Sequence, residues 1–74
     1  MKTAREMFEE LGYELTEDDE IDIEYKKESK FTNYYIVFWK NSKKFYKGNN
    51  DDMTVDITLD ELKAINKQIS ELGW

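Results

Sequence analysis

The fold of this chain is limited most by two helix signatures, one near each end of the sequence. Each begins with Thr-x-x-Glu, at Thr3 and at Thr58, and each ends with Leu-Gly followed by an aromatic residue. In Thr-x-x-Glu, the hydroxyl and the carboxylate accept hydrogen bonds from backbone N–H groups that have no partner inside the helix. The glycine supplies a left-handed residue after the last turn, and the aromatic residue packs back onto that turn. The sequence therefore predicts one helix over 3–11 and another from Thr58 to Gly73.

Apolar residues recur at helical spacing inside both segments, which gives each helix one face for a core. The two stripes consist of Ala4, Met7, Phe8 and Leu11 in the first helix and Leu62, Ile65, Ile69 and Leu72 in the second. Both helices are therefore expected to pack on the segment between them.

That central segment has the alternation and composition of β-strands. Strands are predicted over 21–26, 31–40, 43–47 and 53–57, with a polar connection over 14–20 and a loop over 48–52. The strand over 31–40 has six consecutive β-branched or aromatic residues, Tyr34 to Trp39. It is bulky on both faces, which favours a central position and leaves open which face is exposed.

Together these patterns predict one α+β domain over 1–74. We expect a three- or four-stranded antiparallel sheet, with the N-terminal and C-terminal helices packed on one face, in the order α-β-β-β-(β)-α. Because the chain has no cysteine for disulfides, its core must be built by packing, with aromatic residues, 15% of the sequence, as its largest components.

The chain also lacks two residue types that are common in catalytic sites. The 74 residues include no cysteine and no histidine, so the commonest general base and the usual zinc ligands are absent. The three glycines are isolated, which excludes a glycine-rich phosphate loop. We therefore expect no enzyme activity, no catalytic residue and no cofactor.

Charge is distributed unevenly, although the net charge is −6. Residues 1–24 have ten acids and two bases, residues 25–47 have one acid and seven lysines, and residues 48–74 have six acids and two lysines. The basic segment is also rich in aromatic residues. Proteins that bind single-stranded nucleic acid use this mixture, because bases stack on rings while lysines contact phosphates. The same pattern arises when the rings form a core and the lysines protect sheet edges.

Two surfaces are therefore candidates for binding. The basic aromatic hairpin over 30–47 offers a surface made of Tyr35, Trp39, Lys40, Lys43, Lys44, Tyr46 and Lys47. A run of four acids offers an acidic face, suited to a basic protein partner, made of Glu17, Asp18, Asp19 and Glu20. Carboxylates also bind divalent cations, but this run lacks the alternating spacing and the glycine of a calcium loop. We interpret it, and the similar stretch 49–52, as solvated charge and predict no metal site.

Three stretches resemble small uncharacterised phage and prophage proteins of Gram-positive bacteria: Met7–Tyr13, Tyr35–Phe38 and Ile57–Trp74. The resemblance implies an accessory protein that acts in a bacterial cytoplasm, with a host factor as a candidate target. It supplies no site residues, because these proteins have no assigned activity and no known site residues; the shared motifs are helix caps and core stripes.

From the residues and the resemblance together, we expect a non-enzymatic accessory protein that binds a protein partner. The first alternative is a single-stranded nucleic-acid-binding module that uses the hairpin 30–47, and the second is an oligomerising structural component. No apolar run is long enough for a membrane span, and acids stand where a signal peptide needs apolar residues. The expected location is therefore the cytoplasm without membrane contact, and the expected state is a monomer or a homodimer.

Overall fold

The computed structural model describes residues 2–50 and 55–74. These residues form four strands, with one helix before them and one helix after them in the chain. In chain order, the elements are α1 (Ala4–Glu10), β1 (Glu14–Asp18), β2 (Asp22–Glu28), β3 (Asn33–Trp39), β4 (Lys44–Asn49) and α2 (Leu59–Leu72). The strands form one antiparallel sheet in the order β1-β2-β3-β4, so each strand pairs with the next one along the chain. The predicted α+β class and element order are confirmed.

Both helices begin and end at the predicted signals. Thr3 and Thr58 are N-caps, and each forms a capping box with the glutamate three residues later. Gly12 and Gly73 have φ angles of 92° and 76°, which glycine adopts without the penalty that a Cβ imposes. The residue after each glycine donates its N–H to the carbonyl five residues earlier, which is the Schellman arrangement.

Both helices pack on one face of the sheet, and the core lies between the two layers. The buried core residues are Phe8, Tyr13, Ile23, Tyr25, Ile36, Phe38, Ala64 and Ile65. Phe8 of α1 is fully buried and stacks on Tyr25 of β2, with 4.1 Å between the ring centroids. Its ring also meets Tyr13 and Phe38 edge to face. Aromatic residues therefore form the centre of the core, as the composition predicts.

The predicted polar connection over 14–20 is wrong, because Glu14–Asp18 forms β1 at one edge of the sheet. Leu15 is the residue of this strand that packs against the core, and a bulge between Leu15 and Glu17 shifts the register. Backbone hydrogen bonds to β2 hold the strand in place, while its exposed charges discourage pairing along the outer edge. A strand of this kind lacks the apolar alternation by which strands are recognised in a sequence.

The opposite end of the sheet also differs from the prediction. Gly48 and Asn49 pair with residues of β3, so the start of the predicted loop 48–52 belongs to β4. Within the strand predicted over 53–57, residues 55–57 have no regular secondary structure. The remaining residues of these two predictions, 51–54, lie outside the described residues.

Lys43, in the loop between β3 and β4, has a backbone conformation that lysine rarely adopts. Its φ is 54°, in the left-handed region, where a residue with a Cβ is penalised by roughly 1–2 kcal/mol. Glycine removes this penalty but loses more entropy on folding, so we expect Lys43→Gly to raise the free energy of unfolding by about 0.5–1 kcal/mol. Urea unfolding measures the change. Lys44→Gly removes the same charge from a regular strand residue and should destabilise the protein, so equal losses in the two variants would contradict the prediction.

Candidate functional site

The face of the sheet opposite the core is covered by neither helix of the described chain. Its side chains alternate with those of the core, and we term it the open face. It includes Glu14, Glu17, Asp22, Glu24, Lys26, Glu28, Tyr35, Val37, Trp39, Lys44 and Tyr46. The aromatic residues belong to β3 and β4, whereas the acids belong to β1 and β2. The open face is therefore divided into an aromatic half and an acidic half.

Trp39 and Tyr46 form an exposed aromatic pair in the aromatic half. Their ring planes are 17° apart and their centroids are 6.3 Å apart. Trp39 is 38% exposed and Tyr46 is 48% exposed, while Val37, which pairs with Tyr46, is buried. A Cβ at Gly48 would lie 3.4 Å from Cε2 of Tyr46, so the glycine is next to this ring. Two large rings therefore lie side by side in solvent, held on a regular sheet.

The lysines of the predicted binding surface do not share one face. Lys44 lies on the open face opposite Trp39, and Lys43 is exposed in the loop before it. The side chains of Lys40 and Lys47 instead lie on the core side of the sheet, where each has a carboxylate partner. Only part of the predicted basic surface is therefore available beside the rings.

The partner of Lys47 is Glu61, at the start of α2, and the pair is buried. Lys47 Nζ lies 2.8 Å from Glu61 Oε1, and the Tyr13 hydroxyl donates to Glu61 Oε2 at 2.6 Å. The N-cap residue Thr58 donates its backbone N–H to the same glutamate. Burial raises the pKa of Glu61, but the hydrogen bonds from Lys47, Tyr13 and Thr58 outweigh burial and lower it below 4.5. This cluster joins α2 to the sheet and serves the fold.

A second buried hydrogen bond also joins α2 to the sheet. The Tyr25 hydroxyl donates to Oε1 of Gln68 at 2.7 Å, and both residues are buried. Burial is the main cause that raises the pKa of Tyr25 to about 12. These two buried hydrogen-bonded groups thus join α2 to the rest of the molecule on the core side of the sheet.

The predicted acidic face is also divided by the structure. Asp18 pairs with a lysine on the core side, and Glu20 is exposed in the turn between β1 and β2. Glu17 and Asp19 instead converge with Asp22, so that one carboxylate oxygen from each lies within 4.8 Å of the others. The charge of Asp22, with burial and the charge of Asp19, raises the pKa of Glu17.

Asp22 is the member of this cluster that the sequence prediction missed. It lies outside the run of four acids, separated from it by Ile21. Its alternation with Ile21 and Ile23 was the signal that could have placed its side chain on the open face. Among the described residues, the cluster of Glu17, Asp19 and Asp22 is where a metal ion could be held by three carboxylates.

Neither described helix combines the length and the apolar composition that crossing a membrane requires. Comparison with family models, curated proteins and solved structures finds no match to this chain.

Proposed function

We propose that the protein is a non-enzymatic binding module that contacts a protein partner through its open face. The observation that supports this proposal is the exposed pair of Trp39 and Tyr46 on a regular sheet. Tryptophan and tyrosine are enriched among the residues that dominate protein interfaces. They bury a large area while losing little side-chain entropy, and a sheet holds them in place before binding.

The charges around the aromatic pair indicate the chemistry of the partner. Glu14, Glu17 and Glu24 belong to the acidic half of the open face, and Lys44 lies at the opposite margin beside Trp39. A complementary segment would place an apolar residue on the two rings and lysine or arginine residues against the glutamates. The partner that fits this face is therefore a protein with a basic and apolar segment.

Single-stranded nucleic acid is the second candidate ligand and fits the geometry less well. Two of the lysines on which that prediction depends, Lys40 and Lys47, are paired with carboxylates on the core side. On the open face itself, the five acids Glu14, Glu17, Asp22, Glu24 and Glu28 outnumber the two lysines, Lys26 and Lys44. Phosphates would be repelled by this excess of negative charge.

The biological setting is proposed from the sequence resemblance. Similarity to phage and prophage proteins favours an accessory role in the cytoplasm of a Gram-positive bacterium. The partner in that setting is a host protein, whose activity the bound module would alter.

The proposal predicts that removing the aromatic pair weakens partner binding strongly while the fold is retained. In the double variant Trp39→Ser with Tyr46→Ser, we expect the partner's Kd to rise at least about 30-fold, the effect of losing about 2 kcal/mol at a dominant contact. The partner is isolated from Gram-positive lysate, purified and titrated by calorimetry. The matched control is Phe31→Ser with Leu59→Ser, which removes two apolar side chains that are 86% and 67% exposed elsewhere.

Three results would overturn this assignment. If the two double variants bind the partner with equal affinity, the open face is not the binding surface. A salt-sensitive shift of a single-stranded oligonucleotide, abolished by Lys43→Glu with Lys44→Glu, would assign the surface to nucleic acid instead. A homodimer that the Trp39→Ser and Tyr46→Ser variant dissociates would assign it to a second copy of the chain.

A further inference from the structure

Three carboxylates converge at one end of the open face, around the turn that joins β1 to β2. Glu17 belongs to β1, Asp19 to the turn and Asp22 to the first position of β2. One carboxylate oxygen of each lies within 4.8 Å of the other two. Asp19 is held in position because its Oδ1 accepts hydrogen bonds from the N–H groups of Ile21, at 2.8 Å, and Asp22, at 3.0 Å. The turn thus fixes like charges close together.

Asp22 differs from the other two acids because it is buried and one of its carboxylate oxygens lacks a hydrogen-bond partner among the described residues. The residue is 9% exposed, whereas Glu17 and Asp19 are exposed. Its Oδ1 is inaccessible to solvent and has no hydrogen-bond partner in the described part of the chain. A carboxylate oxygen in this position has lost water without gaining a donor, which is unfavourable. Asp22 also contributes a carboxylate oxygen to the cluster, so a cation held among the three acids would interact favourably with this buried side chain.

We propose that Glu17, Asp19 and Asp22 form a binding site for a calcium ion. All three donors are carboxylate oxygens, the ligands that hard divalent cations prefer. The three oxygens lie within 4.8 Å of one another, so a single calcium ion, at about 2.3–2.6 Å from each ligand, can contact all of them. Calcium accepts irregular coordination, whereas magnesium requires near-ideal octahedral geometry. Water completes the coordination on the exposed side of Glu17 and Asp19.

This inference does not depend on the proposed protein-binding function, although Glu17 belongs to the open face in both. The position of the site provides a specific probe, because Trp39 is the residue directly opposite Asp22 in the pairing of β2 with β3. Opposed residues on one face have Cβ atoms about 5 Å apart. Terbium ions occupy calcium sites and emit light when an adjacent indole transfers energy to them. Terbium bound at Asp22 is therefore expected to be sensitised by Trp39.

The experiment is a calcium titration of the full chain by calorimetry, with terbium luminescence as a second readout. We expect a Kd of about 10⁻⁴–10⁻³ M, the range of exposed calcium sites, because only three protein ligands contribute. Asp22→Asn keeps the size of the side chain and should raise the Kd at least about tenfold, since ligand charge sets calcium affinity. Glu20→Gln makes the same change in net charge outside the cluster and should leave the Kd unaltered.

Terbium separates binding at this site from general attraction to an acidic protein. Tryptophan-sensitised emission should appear with the wild-type chain, be displaced by calcium and disappear in Asp22→Asn. In Trp39→Phe, the emission should fall while the calcium Kd is retained. The proposal is overturned if calcium neither binds nor displaces terbium at millimolar concentrations, or if Glu20→Gln weakens binding as much as Asp22→Asn. Tighter binding of magnesium than of calcium would also overturn it.

Discussion

Replacing Glu61 with alanine is expected to lower the free energy of unfolding by about 3–5 kcal/mol, the cost of removing one partner from a buried ion pair. The side chains of Glu61 and Lys47 are 6% and 8% exposed. Without the carboxylate, the Lys47 ammonium stays buried without its counter-charge, and the Tyr13 hydroxyl loses its acceptor. A domain of this size has a total stability of roughly 4–11 kcal/mol. The substitution therefore removes a large part of what keeps the protein folded.

Urea unfolding at neutral pH, followed by circular dichroism, measures this loss. Asp60→Ala is the matched control, because it removes the adjacent acid from the same helical turn at an exposed position. Its expected cost is about 0.3–1 kcal/mol, through the helix dipole. If Glu61→Ala costs no more than Asp60→Ala, the buried pair does not stabilise the fold as described.

The same carboxylate gives the stability a defined dependence on acid pH. In the folded state, hydrogen bonds from Lys47, Tyr13 and Thr58 outweigh burial and hold the pKa of Glu61 below 4.5, its ordinary value. The contribution of the ionised Glu61 carboxylate to the free energy of unfolding is therefore complete above pH 4.5. It is lost as the pH falls through the pKa that Glu61 has in the folded protein. The difference in free energy of unfolding between wild type and Glu61→Gln should therefore become smaller as the pH falls below 4.5. A difference that stays constant down to strongly acidic pH would contradict this assignment.

Phe8→Ala is expected to have an effect of similar size, about 3–5 kcal/mol, for a different reason. The Phe8 ring is fully buried, stacks on Tyr25 at 4.1 Å between centroids and meets Tyr13 and Phe38 edge to face. These neighbours belong to different parts of the chain, so they cannot all move together to fill the space left by the ring. The loss of stability therefore has two parts, the free energy gained by burying the ring and the cost of the cavity that remains.

The control for Phe8→Ala is the same substitution at Phe31, which is 86% exposed. Phe31→Ala should change the free energy of unfolding by no more than about 0.5 kcal/mol, as expected of a surface position. Both variants are compared by the midpoint and slope of urea unfolding. A loss below about 2 kcal/mol for Phe8→Ala would be too small for a close-packed aromatic core.

The helices could be predicted from the sequence because their boundaries depend on local interactions. Thr3 with Glu6, and Thr58 with Glu61, satisfy backbone groups within four residues of chain. The edge strand β1 could not be predicted in the same way. Its pairing with β2 depends on backbone hydrogen bonds, and its acidic side chains give no apolar alternation. Patterns of side chains indicate burial, so a mostly exposed strand leaves little signal.

The candidate site could be predicted only in part, because it depends on which face each side chain occupies. Trp39 and Tyr46 were predicted as part of a binding surface, and they lie together on the open face. Lys40 and Lys47 were assigned to the same surface, but alternation places them on the core side. The partner of Lys47, Glu61, comes from the second helix, and no local pattern connects the two. Long-range pairing of this kind separates residues that look like one patch in the sequence.

The central claim is that the open face contacts a protein partner, and photo-crosslinking from single positions tests it most directly. The photoreactive residue p-benzoylphenylalanine is placed at position 46, in place of Tyr46, in a chain expressed in Gram-positive cells. The comparison position is 59, where Leu59 is exposed on the helical layer. Irradiation should give a defined covalent adduct with one protein from position 46 and none from position 59. Adducts from position 59 with none from position 46 would contradict the claim.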